Sequence, residues 1–461
     1  MSTKPSIPQG TRDFNAATIR KRNYILQIIK QVFETYGYQP LETPAFENLE
    51  TLMGKYGEEG DKLIFKILNN GLNNEKNIEK AKAGFAQILE GKNSSDITER
   101  ALKYDLTIPF ARYVAMNHTK LVFPFKRYQV QNVWRADRPQ KGRYREFTQC
   151  DADVVGSNHL LNDAELALMY DEAFNKLGLS DYTLHVNSRK ILEALAQVCN
   201  ATDQLVLITT AIDKLDKVSW DKLQIELSEN GLTAAQLKTI ETFISIDGNN
   251  EERLAKATHF FAGNPIAKKG LAEIEYVLQT TSQAKIKVDF SLARGLHYYT
   301  GIIYEVKAPP TVKIGSIGGG GRYDDLTGLF GVNGIPGVGI SFGIDRIYDV
   351  MEELQLFPEN LETGTQVLFF NMGSKEASIA FQIMQSLRQK GVSAELYLEE
   401  HKLQKQFTYA EKKNIPFAVI IGSKEIEQNY CQLKNLQTQE QHIVVLDNLH
   451  EFLTTQPGYH Q

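Results

Sequence analysis

The sequence predicts an α+β protein built from several folding units. Three observations carry this. At 461 residues the chain is about three times the length of a ~150-residue domain. Strand-like runs flank a stretch, 190–283, that reads as helices broken by Gly and Asn. After a polar linker candidate at 354–366, short apolar strands alternate with helices in a β-α-β order. A hydrophobic content of 42% with 23% charged residues is that of a globular chain and excludes disorder throughout.

Residues 16–36 place Ile25, Ile28, Ile29, Val32, Phe33 and Tyr36 on one helical stripe, and Gly37 stops it. YQPLETPAFE (38–47) is extended, because Pro40 and Pro44 exclude a helix and suit a sheet edge or an interface strand. Residues 69–98, rich in Asn, Lys and Gly, read as a surface insertion around a helix from Ile78 to Leu89. From Leu121 to Gly156 two strands flank the polar loop ADRPQKG (136–142), a hairpin with a long connection. Strands return at 285–290 and 301–307, the glycine-dense GSIGGGGRYDD (315–325) follows, and a helix runs from Ile344 to about Leu354. Beyond the linker come VLFFNM, a helix over 375–390, VSAELYL, a helix over 403–414, IPFAVIIG, YCQLKNL, HIVVL and a closing helix over 447–454. That is a small parallel-sheet domain with two added strands.

Several classes are excluded. No apolar run approaches the ~18 residues that span a bilayer, and the N-terminus has no apolar stretch of the signal-peptide kind. Cys150, Cys199 and Cys431 form no CxxC pair, which argues against a thiolate zinc site and suits a reducing cytoplasm. The net charge of −5 leaves any polyanion to local patches. Neither glycine-rich segment is followed by Lys-Ser/Thr, nor does either meet GxGxxG with an acid downstream, so a P-loop kinase or a dehydrogenase is disfavoured.

Three constellations bear chemistry. In 125–156, seven basic residues from Lys126 to Arg145 face Asp137 alone, a local charge of +6. The following strand places Phe147, Gln149, Asp151 and Asp153 on one face and Thr148, Cys150, Ala152 and Val154 on the other. A polar row with one aromatic ring is a poor core and a good pocket wall. In SLARGLHYYTG (291–301), Arg294 precedes glycine and two tyrosines at the start of a strand, a pattern a simple turn also explains. In SIGGGGRYDDL and IPGVGISFGIDRI, the glycines give the backbone close access to a partner or fit tight packing at a sheet bend. Arg135, Arg143, Arg294 and Arg346 together suit a nucleoside triphosphate held by guanidinium forks rather than by a glycine loop and lysine.

These residues resemble the histidyl-tRNA synthetase family, of the class II aminoacyl-tRNA synthetases, over essentially the full length. YQPLETPAFE resembles motif 1, the dimer-interface segment; VWRADRPQKGRYREF (133–147) resembles motif 2; GVGISFGIDRI (337–347) resembles motif 3. LARGLHYYTG (292–301) and GGGGRYDDL (318–326) are similar to the two signatures of the histidine enzyme, and YDLTIPFARY (104–113) to the segment that holds the substrate amino group. Residues 403–422 are similar to part of an anticodon-binding domain.

The resemblance implies a class II catalytic domain with an antiparallel sheet over 1–355, helically inserted at about 190–283. A linker at 356–366 and an α/β anticodon-binding domain at 367–461 would follow. It implies a ligase that activates L-histidine with ATP and passes it to tRNA(His), with magnesium carried by ATP, in a cytoplasmic homodimer. Asp105, Thr107 and Gln149 would hold the α-amino group; Asp153 and Tyr299 the imidazole, with Tyr298 lining the pocket. Arg135 would contact the α-phosphate, Arg143 the γ-phosphate and Arg346 the triphosphate, while Phe147 stacks on adenine. Arg294 would act as catalytic cation on the α-phosphate beside the bound histidine. Asp137 stands where motif 2 usually has glutamate, Asp105 and Asp153 where many bacterial members have it, and His297 where the signature usually has aspartate. The rival reading, a non-catalytic paralogue regulating histidine biosynthesis, should lack the C-terminal domain and the catalytic arginines.

Overall fold

The computed structural model describes residues 4–54, 61–140, 142–282, 284–293, 298–358, 361 and 364–459. Its contacts divide into two compact units, residues 22–356 with 1–13, and 357–461 with 14–21.

The strands of the larger unit are β1 (Gln39–Pro40), β2 (Phe46–Asn48), β3 (Lys66–Ile67), β4 (Arg100–Leu102), β5 (Phe125–Trp134), β6 (Glu146–Val155), β7 (Thr183–Ser188), β8 (Ile286–Val288), β9 (Ile302–Lys307), β10 (Gly318–Tyr323) and β11 (Gly337–Gly343). Eight of them form one sheet in the order β1-β5-β6-β11-β10-β9-β7-β8. The expected antiparallel sheet needs one correction. Pairing is antiparallel from β5 to β7, but both edges, β1 on β5 and β8 on β7, are parallel. Neither edge strand is hairpin-linked to its neighbour, so nothing constrains it to run antiparallel. Pro40 sits in the edge strand β1, where its missing N–H leaves one side of the ladder without a donor.

Sequence alternation decides the two faces of this sheet. Cys150, Ala152 and Val154 are buried on one side. The helix Ala16–Thr35 packs there, with the Phe33 ring 5.5 Å from Tyr128 and 5.7 Å from Phe342. The other side of β5 and β6 carries Arg127, Gln129, Asp151 and Asp153, all buried as well.

Within the glycine-dense segment 315–325, residues 318–323 form the central strand β10. On β10 a Cβ at Gly320 would stand 2.1 Å from the Gly339 carbonyl oxygen, and one at Gly321 would stand 2.6 Å from that of Ile302. No side chain fits where strands approach this closely, which is why four glycines run together. The stretch 190–283 holds helices from Arg189–Val198 to Pro265–Thr280, four of them opened by side-chain caps at Ser188, Thr233, Asn249 and Asn264. The insertion 69–98 carries its helix over Ile78–Leu89, beside the small sheet β2-β4-β3.

The smaller unit holds β12 (Val367–Phe369), β13 (Ala394–Leu396), β14 (Phe417–Ile420), β15 (Tyr430–Asn435) and β16 (Gln441–Val445), ordered β13-β12-β14-β15-β16. Three strands are parallel, as the β-α-β pattern predicts, and β15 and β16 close the sheet antiparallel. Val367, Phe369, Phe417 and Val419 face one core, and Leu368, Phe370 and Ala418 face another. Burial on both faces is why these strands read as continuous apolar runs. A short helix at Ser423–Glu427, capped by the Glu425 carboxylate at the Gly422 N–H, has no counterpart in the sequence pattern.

Candidate active site

A cavity of about 240 Å³ opens on the polar face of the large sheet, lined by residues of β6, β9 and β11, by glycines and Tyr323 of β10, and by the turn before the helix Thr107–Asn117. Its floor depends on glycine again. A Cβ at Gly339 would fall 2.0 Å from Asp153 Oδ1, so only glycine leaves that carboxylate room.

Seven of the residues expected from sequence meet there: Asp105, Thr107, Arg135, Gln149, Asp153, Tyr298 and Tyr299. Asp105 accepts the Ile108 N–H at 3.3 Å and so also caps the helix whose first residue is Thr107. Tyr298 and Tyr299 have ring centroids 4.6 Å apart and hydroxyls 3.5 Å apart. Burial pushes both phenols above their ordinary range, so they are neutral donors at pH 7. Arg135 lies 5.1 Å over the Phe147 ring and donates through Nε to the Tyr104 carbonyl at 2.8 Å. That bond ties the motif-2 arginine to the segment bearing Asp105.

Phe147, Arg143 and Arg346 do not line the cavity. Phe147 remains at its rim through Arg135. Arg143 projects from the loop between β5 and β6, half exposed, and grips Asp137 with two hydrogen bonds of 2.9 and 2.8 Å. The aspartate in place of the usual glutamate thus reaches its arginine in bidentate fashion. Arg346, in the first turn of the helix Ile344–Glu353, donates to the carbonyls of Gly142 at 2.9 Å and Ser316 at 2.7 Å. It fastens the motif-2 loop to the segment before β10, and Ser316 itself faces the cavity. Arg294 and His297 lie outside the described residues.

Sequence reasoning missed the base of the site. Arg127, fully buried, faces Asp153 directly across the β5–β6 ladder, 2.8 Å from its Oδ2 without a well-directed hydrogen bond, and lies 4.2 Å over the Phe110 ring. Tyr323 donates to the other oxygen, Asp153 Oδ1, at 2.6 Å. Burial raises the Asp153 carboxyl above its ordinary range, while Arg127 and the Tyr323 bond pull it back. The signal was available: Arg127, Gln129 and Gln131 alternate on one face of β5 as the polar row does on β6, and a polar row opposite a polar row marks an interior pocket. Among the described residues no group of three or more His, Cys, Asp or Glu could hold a metal ion.

The family model described as histidyl-tRNA synthetase matches residues 88–347, and that described as anticodon binding domain matches 366–456. The chain is 49% identical to the histidine–tRNA ligase of Flavobacterium johnsoniae, with 98% of this chain and all of the relative covered. It is also 49% identical to that of Christiangramia forsetii over 96% and 97% of the two chains. The crystal structure of the histidyl-tRNA synthetase from Nostoc sp. PCC 7120 superposes with a TM-score of 0.81 at 32% identity, covering 98% of this chain and 99% of that one. These matches place the chain among the aminoacyl-tRNA synthetases, which are ligases. Within that class it belongs to the histidyl-tRNA synthetase family.

Proposed function

We propose that this chain joins L-histidine to tRNA(His) in two steps at the cavity of the large sheet. The histidine carboxylate oxygen attacks the α-phosphorus of ATP, the bond to the β-phosphate oxygen breaks, and diphosphate leaves with its electron pair. The tRNA 3′-terminal hydroxyl then attacks the acyl carbon of the adenylate and AMP departs. The observation that carries this reading is the convergence of seven expected substrate residues in one cavity.

Asp105, Thr107 and Gln149 hold the α-ammonium, and Asp153 and Tyr299 bracket the imidazole, with Tyr298 behind. Arg135 meets the α-phosphate, Phe147 the adenine, and Arg143 and Arg346 the distal phosphates. Arg294 is the cation on the α-phosphate as charge accumulates there. Positioning and charge stabilisation carry the rate, because phosphoryl chemistry asks for little covalent help. Magnesium arrives with ATP. It takes one or two carboxylates together with substrate phosphates, and Glu305 in the cavity wall is a group of that type.

We assign 1–355 to catalysis, 356–366 to a linker and 367–461 to anticodon binding. Residues 366–461 carry nine basic and ten acidic residues, so the RNA-binding assignment draws its support from the family match rather than from charge. The extended, proline-bearing 38–47 segment at the sheet edge supports a homodimer, and three buried free cysteines support a reducing, cytoplasmic setting. Among the described residues no helix is long and apolar enough to cross a membrane.

Histidine-dependent ATP–diphosphate exchange, followed by charging of tRNA(His), tests the reaction. Absence of exchange in the folded protein would sink it. Sedimentation at micromolar concentration tests the dimer, and a monomeric mass there refutes it.

A further inference from the structure

The cavity holds one more acid than the roles above use. Asp151 follows Gln149 and precedes Asp153 on the pocket face of β6, is 3% exposed, and lines the cavity. Its cross-strand neighbours are Gln129 on β5 and Ser341 on β11, and the Ser341 hydroxyl bonds to it. Its Oδ1 has no hydrogen-bond partner among the described residues. A buried carboxylate oxygen left without a donor is unfavourable by roughly 1–3 kcal/mol, a penalty a bound ligand can relieve.

Charge points the same way. Arg127 is the buried cation beneath this face, and it stands against Asp153, which Tyr323 also serves. Asp151 therefore shares a cation already matched to another acid, with Asp105 adding further negative charge nearby. The groups facing it are Arg127 and Gln129 from β5, Gln149 and Asp153 from its own strand and Ser341 from β11. Asp105 faces it from the turn before the helix Thr107–Asn117, and Tyr299 and Tyr170 complete the surround. Such a site demands a ligand that donates hydrogen bonds and carries positive charge, and histidine does both.

We propose that Asp151 is a binding residue for histidine, accepting a ring N–H of the imidazole and sharing with Asp153 the selection of this side chain. The assignment rests on the reading above that the cavity is the histidine site. A protonated ring presents N–H groups on two edges, and Asp151 and Asp153, two apart on one strand face, can each accept one. Glutamine or leucine would leave Asp151 buried without its donor, so the residue discriminates against them.

Burial pushes the Asp151 carboxyl up to about 7, with Arg127 opposing the rise. The accepting carboxylate form is therefore gained as pH rises through neutrality and lost as it falls.

The test compares wild type with Asp151→Asn. The histidine KM should rise about tenfold or more, while the ATP KM and the melting temperature stay near those of wild type. Should Asp151→Asn fail to fold, Ser341→Ala, which removes the hydroxyl steadying Asp151, should show the same selective rise to a smaller degree. An unchanged histidine KM in a folded variant, or equal rises for both substrates, overturns the proposal. If wild type itself shows no histidine-dependent exchange, the reading of the cavity falls instead.

Discussion

Strands β6 and β14 both run through the middle of a sheet, yet they bury opposite chemistry. β6 places Gln149, Asp151 and Asp153 on one face and Cys150, Ala152 and Val154 on the other. β14, Phe417–Ile420, is apolar on both faces, and helices and loops of its unit cover it. Buried acids are unfavourable unless paired, and the β6 acids are held by Arg127, Tyr323 and Ser341 in a setting that leaves capacity for a ligand. The smaller unit has few such groups inside. The Gln406 side-chain amide accepts the Asn371 N–H at 2.9 Å and donates to the Asn371 carbonyl at 2.8 Å, a polar link within the core. The difference teaches where to look for function: inside the sheet of the larger unit, and on the surface of the smaller one.

The sharpest way to break this comparison is to damage the apolar interior alone. Phe417→Ala should destabilise the smaller unit by about 3–5 kcal/mol, read by denaturant unfolding. ATP–diphosphate exchange should persist in the same variant while tRNA charging falls. A parallel loss of exchange would mean the two units do not divide the work as proposed.

Arg294→Ala should lower the exchange rate by about 10² or more, with histidine binding measured by calorimetry nearly intact, since a preorganised cation acts on charge that appears only in the transition state. Unchanged exchange in a folded variant refutes the role.

Gly320→Ala probes the close approach of strands under the cavity. Its Cβ would meet the Gly339 carbonyl at 2.1 Å, backbone that cannot swing aside, so overpacking by about 1–3 kcal/mol should lower the melting temperature and exchange together. A variant as stable and active as wild type would show that β10 can separate from β11.

Asp153→Asn sharpens the comparison most finely. The histidine KM should rise far more than the ATP KM, because the amide can present a donor where the imidazole needs an acceptor. Stability should also fall, since Arg127 loses the charge opposite it. Equal effects on both KM values would demote Asp153 to a purely structural partner of Arg127.

Much of the fold was legible. The apolar stripe of the first helix, the two ten-residue strands of the hairpin β5–β6, the insertion helix Ile78–Leu89 and the β-α-β order after the linker each follow from local periodicity, which the chain expresses within a dozen residues. The parallel edges β1 and β8 were not legible, because pairing direction across long separations leaves no local mark. The glycine run over 318–321 was ambiguous for the same reason. Its meaning lies in the Gly339 and Ile302 carbonyls, the former nineteen residues from Gly320 along the chain.

The sequence by itself determined the alternation that points Gln149, Asp151 and Asp153 to one side, the guanidinium-rich chemistry of motif 2, and the apolar strands of the smaller unit. These are properties of period and side-chain type, which any segment carries before it folds. Only the tertiary structure decided that Arg127 stands beneath Asp153, that Tyr323 reaches it from β10, and that Arg346 fastens Gly142 and Ser316 rather than lining the cavity. It also decided that Asp151 keeps one carboxylate oxygen without a partner among the described residues. Those outcomes depend on which distant segments become neighbours, and on how burial changes the energy of a charge once they have.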